Sequence, residues 1–188
     1  MQSALFVGRF QPFHNGHLDA VKKILKDNDR VIIAIGSAEK NYLPQNPFTA
    51  SERFQMIEEA LIEAKIPAEK YCIIPVININ NFALWVNHLN LFVPPYTKLY
   101  TGSDLVKACY EGKYQRPGDV SKAGPKIIKL KRVIKVSATK VRQTIMQNKR
   151  WELLVPPAVA KKIKELDAVK RIREIKGTID ITKFNVGF

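Results

Sequence analysis

The sequence predicts an α/β fold: a Rossmann-like, doubly wound parallel sheet of about five strands with helices on both faces and a helical C-terminal extension. Three observations predict it. Short apolar runs alternate with amphipathic segments of helical period along most of the chain. Glycines or polar residues end the apolar runs. Strands joined through helices pair in parallel, which opens a ligand crevice at the carboxyl ends of the strands.

The first elements are clear from the apolar pattern. Ala4–Val7 predicts a strand that stops at Gly8, and Val31–Ile35 predicts a second strand that stops at Gly36. A helix is expected between them, because apolar residues recur there at helical spacing: Leu18, Val21, Ile24 and Leu25.

The middle of the chain continues the alternation. Thr49 and Glu52 stand three residues apart ahead of an amphipathic run, which predicts a capping box at the start of a helix. Tyr71–Ile77 predicts the third strand. The segment Phe82–Phe92 predicts a short helix, closed by two prolines.

The last strands follow the same logic. Lys98–Thr101 predicts a fourth strand that turns at Gly102 into the helix Leu105–Tyr110. Gly112–Gly124 is polar and predicts a flexible loop. Ile127–Val136 predicts a fifth strand, followed by a helix marked by Ala138, Val141 and Ile145.

Beyond Trp151 the pattern is helical only. Pro156-Pro157 predicts the start of a helix with apolar residues on one side and lysines on the other. We therefore expect an α/β domain over residues 1–150, with residues 151–188 as a helical extension of the same domain. The basic run Lys161–Lys176 predicts a solvated helix face rather than a nucleic-acid contact.

Composition limits the class of protein. With 46% hydrophobic residues the chain can bury a core, and it has no apolar run of the roughly 18 residues that a membrane span needs. We expect a soluble, cytoplasmic protein. Two cysteines are too few for a disulfide framework. The net charge of +14 calls for an anionic partner, either nucleic acid or a phosphate-rich small substrate.

The junction of the first strand and helix carries the chemistry. Gly8 has no side chain, so a ligand can approach the backbone closely. His14 and His17 lie one helical turn apart at the helix mouth, and Gly16 between them keeps the helix start open. Backbone N–H groups and two imidazoles suit phosphate oxygens. One histidine acting only as a cap is the alternative; zinc is disfavoured, because no cysteine or acid completes a ligand set.

A second phosphate site is predicted after the last strand. Ser137 is placed to cap a helix, and Arg142 stands three residues past Thr139, so that hydroxyl and guanidinium share a face. An ordinary helix cap is the alternative. No acidic cluster marks a protein-built metal site, so Mg²⁺ is expected to arrive on nucleotide phosphates.

Three motifs together resemble a known family. G-R-F-Q-P-F-H-x-G-H at residues 8–17, N-P-F-T-A-x-E-R at 46–53 and S-x-T-x-x-R at 137–142 are similar to the archaeal-type nicotinamide-mononucleotide adenylyltransferases, within the H-x-G-H nucleotidyltransferase superfamily. The resemblance extends over residues 4–155. Arg9-Phe10-Gln11 is its most specific part.

The resemblance implies adenylyl transfer from ATP, with Mg²⁺, to nicotinamide mononucleotide, giving NAD⁺ and pyrophosphate. His14 and His17 would hold the ATP phosphates, and Arg142 with Ser137 and Thr139 would grip the departing β- and γ-phosphates. Arg53 matches an arginine at the family's active site, with a surface helix residue as the alternative. The resemblance also implies ATP or phosphate contacts at Gly8, Arg9, Phe10, Gly16 and Gly102.

The stretch from Asn78 to Trp85 corresponds to the family's nicotinamide pocket. Trp85 would stack on the pyridine, although a core tryptophan is the alternative. The family places an asparagine three residues before the tryptophan, where this chain has Phe82. Carboxamide recognition is therefore expected from neighbouring groups: Ile79, Asn80 and Asn81.

Two functional alternatives stay open at the level of sequence. One is a related acceptor such as nicotinic acid mononucleotide. The other is a non-catalytic basic RNA-binding module, supported by the charge but lacking an aromatic-plus-basic motif for single strands. The resemblance also implies a homo-oligomer, such as a hexamer. The apolar stretch Leu89–Tyr96 is a candidate contact, and the tail 177–188, whose apolar residues have no obvious partner in the sequence, is expected to dock on a neighbouring subunit.

Overall fold

The computed structural model describes residues 2–115, 124–130 and 134–175. The described part of the chain forms five strands in a single parallel sheet: β1 (Ser3–Gly8), β2 (Arg30–Ile35), β3 (Tyr71–Pro75), β4 (Lys98–Thr101) and β5 (Lys126–Lys129). The helices are α1 (Asn15–Ile24), α2 (Ala50–Glu63), α3 (Trp85–Asn90), α4 (Asp104–Tyr110), α5 (Ala138–Met146), α6 (Pro157–Glu165) and α7 (Ala168–Glu174), with 3₁₀ turns at Ala68–Lys70 and Glu152–Leu154.

The strand order is β3-β2-β1-β4-β5. From the central β1 the chain builds outward through β2 and β3 on one side, then crosses back to β4 and β5 on the other. Such a reversal leaves a crevice beyond the carboxyl ends of the two strands where it occurs. The crevice is therefore expected between β1 and β4, and the predicted doubly wound fold is confirmed.

Each face of the sheet carries its own core. All five residues from Val31 to Ile35 in β2 are buried, as expected for a parallel strand covered on both faces. Phe6 and Ile33 point into a core shared with α1, α2, α5, α6 and α7. Leu5 and Ile32 point to the opposite side, where α3 and α4 cover them.

The predicted capping box of α2 is confirmed. The Thr49 hydroxyl accepts from the backbone N–H of Glu52 at 3.2 Å, and the Glu52 carboxylate accepts from the N–H of Thr49 at 2.9 Å. The same carboxylate accepts from Arg171 of α7 at 2.8 Å. Glu52 therefore links the start of α2 to the C-terminal helices.

The C-terminal basic residues are largely paired with acids. Lys162 lies 2.7 Å from Glu59, and Lys164 lies 3.1 Å from Glu152. These ion pairs favour a solvated, neutralised helix face over a nucleic-acid surface, as the sequence predicts. The division of the chain at residue 150 stays a prediction.

Several element boundaries differ from expectation. The third strand ends at Pro75 rather than Ile77, because its partner β2 ends at Ile35, whose carbonyl accepts the last ladder bond from the N–H of Val76 at 2.9 Å. The short helix begins only at Trp85, after a turn in which Asn81 accepts from two backbone N–H groups. Within the described residues the fifth strand covers Lys126–Lys129, and residues 131–133 of its predicted range lie outside them.

Parts of several predictions fall outside the described residues. These are the loop Gly112–Gly124, which the structure describes only at its two ends, residues 131–133 of the predicted fifth strand, Lys176 at the end of the basic run, and the tail 177–188. Among the helices that are described, none is long and apolar enough to cross a membrane.

Candidate active site

A cavity of about 590 Å³ opens at the carboxyl ends of the strands. A residue that ends or follows each strand lines it: Gly8, Gly36, Val76, Gly102 and Leu130. The cavity brings together most of the predicted site residues: Gly8, Arg9, Phe10, His14, Gly16, His17, Phe82, Trp85, Gly102, Ser137, Thr139 and Arg142. Four predicted residues do not line it: Arg53, Ile79, Asn80 and Asn81.

His14 and His17 cap α1 reciprocally. The backbone N–H of His17 donates to Nδ1 of His14 at 3.3 Å, and the N–H of His14 donates to Nδ1 of His17 at 3.2 Å. The two rings stack with centroids 3.5 Å apart. A backbone N–H can only donate, so both Nδ1 atoms carry lone pairs and each neutral ring holds its proton on Nε2. Capping and phosphate binding are thus compatible, because they use different nitrogens.

Gly8 has a structural role besides the predicted one. A Cβ on Gly8 would lie 2.8 Å from the ring of Phe10, so this glycine leaves room for that side chain while it lines the cavity. Phe10 adopts a left-handed φ of 52° and is buried. Its ring packs edge-on against His17 with centroids 4.9 Å apart. The glycine therefore allows the packing that positions the histidine.

Arg142 links the second predicted phosphate site, at the start of α5, to the first, at the start of α1. Ser137 caps α5 by accepting from the N–H of Lys140 at 3.1 Å, as predicted. Arg142 donates to the carbonyl of Gln11 at 2.7 Å and lies 3.5 Å from the hydroxyl of Thr139. Burial, and then the charge of the nearby Arg9, lower the pKa of Arg142 to about 10. The Arg142 guanidinium therefore remains positively charged at neutral pH and can bind an anion.

Arg53 is buried, and its guanidinium binds backbone carbonyls around the cavity. This corrects the catalytic contact that was expected for it. Its guanidinium donates to five carbonyls at 3.0–3.4 Å, those of Arg9, Gly36, Ser37, Ala38 and Thr49. Burial lowers its pKa to about 10, Glu39 opposes that shift, and Arg9 adds to it. With its donors pointed at these carbonyls, Arg53 positions the loops around the cavity and does not line it.

Gln11 explains why the first two motifs occur together. Its side-chain amide donates to the carbonyl of Phe48 and accepts from the N–H of Phe48, both at 2.9 Å. Gln11 is buried. The loop before α1 and the loop before α2 are therefore joined like two adjacent strands.

Aromatic and amide groups line the far end of the cavity. The indole N–H of Trp85 donates to Oδ1 of Asn78 at 3.1 Å, and the Trp85 ring packs edge-on against Tyr110. Trp85 thus contributes both to the second core and to the cavity wall. Phe82 is 45% exposed and its ring lies against Tyr114.

The residues expected to recognise the carboxamide lie elsewhere. Ile79, Asn80 and Asn81 do not line the cavity, because this stretch turns outward and the Asn81 side chain caps the backbone ahead of α3. Asn78 and His88 line it instead. Sequence analysis named Asn78 only as the first residue of the pocket stretch and did not identify His88. His88 lies 2.9 Å from the carbonyl of Ile77. Their position, three residues after the end of β3 and on α3, was the available signal.

The cavity has two arms: one ends at Trp85, and the second runs along α1. Gly16, Asp19, Ala20 and Lys23 share one helix face and line it. A Cβ on Gly16 would lie 3.7 Å from the carbonyl of Ile134, so this arm is narrow at the helix mouth. Asp19 and Lys23 pair at 2.6 Å. The described residues contain no group of three or more His, Cys, Asp or Glu that could hold a metal ion.

Comparisons with known proteins agree with these features. Residues 5–144 match the model of the cytidylyltransferase-like family. The chain is 40% identical over 172 residues to a nicotinamide-nucleotide adenylyltransferase of Picrophilus torridus, covering 92% of this chain and 96% of that protein. It is 39% identical over 179 residues to the enzyme of that name from Archaeoglobus fulgidus, covering 93% and 97%.

Solved structures show the same fold. The chain aligns with a TM-score of 0.71 and 22% identity to a bifunctional NMN adenylyltransferase/ADP ribose pyrophosphatase from Francisella tularensis, crystallised with AMP and a manganese ion. The alignment covers 93% of this chain and 51% of that one, so the chain spans about half of the bifunctional protein. These similarities confirm the resemblance found in the three motifs.

Proposed function

The chain belongs to the cytidylyltransferase-like family, and we propose that it is a nicotinamide-mononucleotide adenylyltransferase that forms NAD⁺ and pyrophosphate from ATP and the mononucleotide. One observation carries the proposal. The reciprocally capped His14–His17 pair and the buried cation of Arg142 line one cavity that ends in an aromatic wall. Phosphate donors and a flat-ring subsite in one cavity are what a dinucleotide product requires. The full-length relatives named above carry the same activity in their names.

Direct in-line displacement fits these groups. An oxygen of the mononucleotide phosphate attacks the α-phosphorus of ATP, the new P–O bond forms, and the bond to the departing pyrophosphate breaks. The Nε2–H groups of His14 and His17 donate to the transferring phosphoryl group as its charge rises. Arg142 neutralises the leaving pyrophosphate, and Arg9 approaches the phosphates from the exposed side.

The two arms of the cavity accommodate the two nucleosides. The arm along α1 is bounded by small residues, Gly16 and Ala20, and suits the adenosine of ATP. The arm toward Trp85 has aromatic and apolar walls that suit a pyridine ring. Gly102, where β4 ends, lines the cavity as well. The reacting phosphates would then lie at the mouth of α1, where backbone N–H groups and the helix dipole favour anions.

Mg²⁺ enters this scheme as part of the substrate. Asp19 is the only carboxylate among the described cavity-lining residues, and it is paired with Lys23. A hard cation held by a protein alone needs several oxygen ligands, so Mg²⁺ is expected to be held by the ATP phosphates. When bound there it neutralises charge on the transferring and leaving groups.

The experiment is a reaction with purified protein. MgATP and nicotinamide mononucleotide are mixed with the protein, and NAD⁺ is measured by reduction to NADH with a dehydrogenase in excess. NAD⁺ formation with stoichiometric pyrophosphate supports the proposal. Salt-dependent RNA binding without any dinucleotide would favour the binding-module alternative instead.

We also propose that the chain forms homo-oligomers through the end of α3. Within the predicted contact Leu89–Tyr96, Leu89 and Val93 are buried, whereas Leu91 is 83% exposed and Phe92 is 41% exposed. Leu91→Glu is expected to reduce the molar mass measured by light scattering, with Asn87→Glu on the same helix as the matched control. Unchanged mass for both variants would exclude this surface. The predicted cytoplasmic location stays a prediction.

A further inference from the structure

We propose that Arg171, on the C-terminal helix α7, is a positioning residue for adenylyl transfer. It fixes the loop that precedes α2, and through that loop it fixes the backbone carbonyl that binds Arg142. The inference rests on the proposed function and adds to it a residue that lies outside the cavity and outside all three sequence motifs. It depends on three groups of contacts: those of Arg171, those between the two loops, and that of Arg142.

The guanidinium of Arg171 contacts the loop before α2 from the side of α7. Its Nη1 donates to the two carboxylate oxygens of Glu52 at 2.9 and 2.8 Å, and to the carbonyl of Pro47 at 3.3 Å. Its Cζ lies 4.6 Å from the centre of the Tyr42 ring, which is a cation–π distance. One side chain therefore holds both ends of the segment 42–47 and the first turn of α2.

The ion pair with Glu52 is shielded from water. The side chains of Arg171 and Glu52 are only 15% and 13% exposed. The same carboxylate accepts from the N–H of Thr49 and so caps α2. Loss of Arg171 would leave a buried carboxylate without its cation, which is strongly unfavourable. Glu52 is then expected to turn toward water and to release the start of α2.

The segment 42–47 depends on such contacts from outside. Among the described backbone–backbone hydrogen bonds, those within this segment join Leu43 and Asn46, at 3.2 and 2.9 Å. Its two prolines have no N–H to donate. Tyr42 has a left-handed φ of 50°, a conformation that costs free energy in a residue other than glycine. The contacts of Arg171 at Tyr42 and at the end of the segment supply what the backbone lacks.

The segment leads directly into the contact between the two loops. Phe48 follows Pro47, and its backbone N–H and carbonyl both pair with the side chain of Gln11 at 2.9 Å. The carbonyl of Gln11 accepts from Arg142 at 2.7 Å. Arg142 is the cation proposed to neutralise the departing pyrophosphate. A shift at Pro47 would therefore move the acceptor that orients Arg142.

A double-mutant cycle tests this connection. The kcat of NAD⁺ formation at saturating MgATP and nicotinamide mononucleotide is measured for the wild type, Arg171→Ala, Gln11→Ala and the double variant. The temperature is one at which circular dichroism shows all four to be folded. Arg171→Ala is expected to lower kcat about 10- to 100-fold, the effect of a small misplacement of reacting groups. In the Gln11→Ala background it is expected to lower kcat less than about threefold, because the connection is already cut.

Arg173→Ala is the matched control, because it removes an exposed arginine from the same helix. Its kcat is expected to stay within about twofold of wild type. If Arg171→Ala does not fold, Arg171→Lys replaces it in the cycle. Lysine keeps a cation for Glu52 but lacks the planar guanidinium, so kcat is expected to fall about 3- to 10-fold.

Amide hydrogen exchange followed by NMR provides a readout that does not depend on activity. The N–H of Phe48 donates to Gln11 and is expected to exchange at least about 10-fold faster in Arg171→Ala than in Arg173→Ala. The amides of the buried strand β2 report on general loss of stability. They are expected to stay protected in both variants, because only the loop is released.

Three results would overturn the inference: equal kcat for Arg171→Ala and Arg173→Ala, an equal loss from Arg171→Ala with and without Gln11, or exchange at Phe48 that rises no more than exchange in β2. Any of these results with NAD⁺ formation by the wild type leaves the proposed function intact. Absence of NAD⁺ formation by the wild type would refute the proposed function, and hydrogen exchange would still decide whether Arg171 holds the loop.

Discussion

Two substitutions at His17 separate helix capping from phosphate binding. In the folded protein, Nδ1 of His17 accepts from the N–H of His14 at 3.2 Å, whereas the proposed phosphate donor is the opposite nitrogen, Nε2. His17→Ala removes both functions. His17→Asn keeps the first, because Oδ1 of asparagine is as many bonds from Cα as Nδ1 of histidine, and it has no atom at the position of Nε2.

The size of each effect follows from the contacts. Loss of the cap bond costs about 1 kcal/mol of the free energy of unfolding. The His17 ring also packs against Phe6, Phe10 and Phe13, and losing these aromatic contacts costs about another 1–3 kcal/mol. His17→Ala should therefore lower the free energy of unfolding by about 2–4 kcal/mol, and His17→Asn should lower it by about 1 kcal/mol less. Both should lose about 10²–10³-fold in kcat, the effect of removing one preorganised donor.

Urea denaturation followed by circular dichroism gives the free energies, and NAD⁺ formation at saturating substrates gives kcat. Turnover is compared at a temperature at which both variants are folded. If His17→Asn turned over within about fivefold of wild type, the phosphate role of Nε2 would be refuted and His17 would be a helix cap alone. Equal stability of the two variants would contradict the capping geometry.

Two further substitutions test how the site is supported. Gly8→Ala should lower the free energy of unfolding, measured by urea denaturation, by about 1–3 kcal/mol, because its Cβ would lie 2.8 Å from the Phe10 ring. Gly36→Ala is the control, because its Cβ would meet nothing closer than 3.8 Å, and it should lower the free energy of unfolding by less than about 1 kcal/mol. Arg53→Lys should lower the free energy of unfolding by about 2–4 kcal/mol, because the three donors of lysine cannot serve five carbonyls. The control Arg150→Lys changes an exposed residue and should leave the free energy of unfolding unchanged. Equal stability of these two variants would contradict the buried role of Arg53.

Local signals in the sequence predicted most of the fold. Apolar alternation located the five strands, and the side chains of Thr49 and Ser137 located two helix starts, because capping depends on residues only three positions apart. The reversal of strand order also follows from general rules of α/β connection. Boundaries were less certain, as at Pro75, where the chain continues apolar after the ladder has ended.

The candidate site was predictable only in its local parts. His14 and His17 lie within one helical turn, so their proximity can be inferred from spacing. Arg53 was expected to contact the reacting groups, because the sequence reveals a cation but not the carbonyls of Arg9 and Gly36 that occupy it. Those partners are 44 and 17 residues away in the chain, and only the folded backbone brings them to the guanidinium.

The second motif reaches the Trp85 end of the cavity through backbone rather than through substrate. Arg53 holds the carbonyls of Ser37 and Ala38, and the next residue, Glu39, accepts from the N–H of Asn78, which in turn holds Trp85. Each link is a hydrogen bond of 2.9–3.4 Å. A change at Arg53 should therefore disturb the Trp85 end of the cavity although the guanidinium lies outside the cavity. An arginine can belong to an active-site motif because it fixes the geometry of the residues that bind, without binding anything itself.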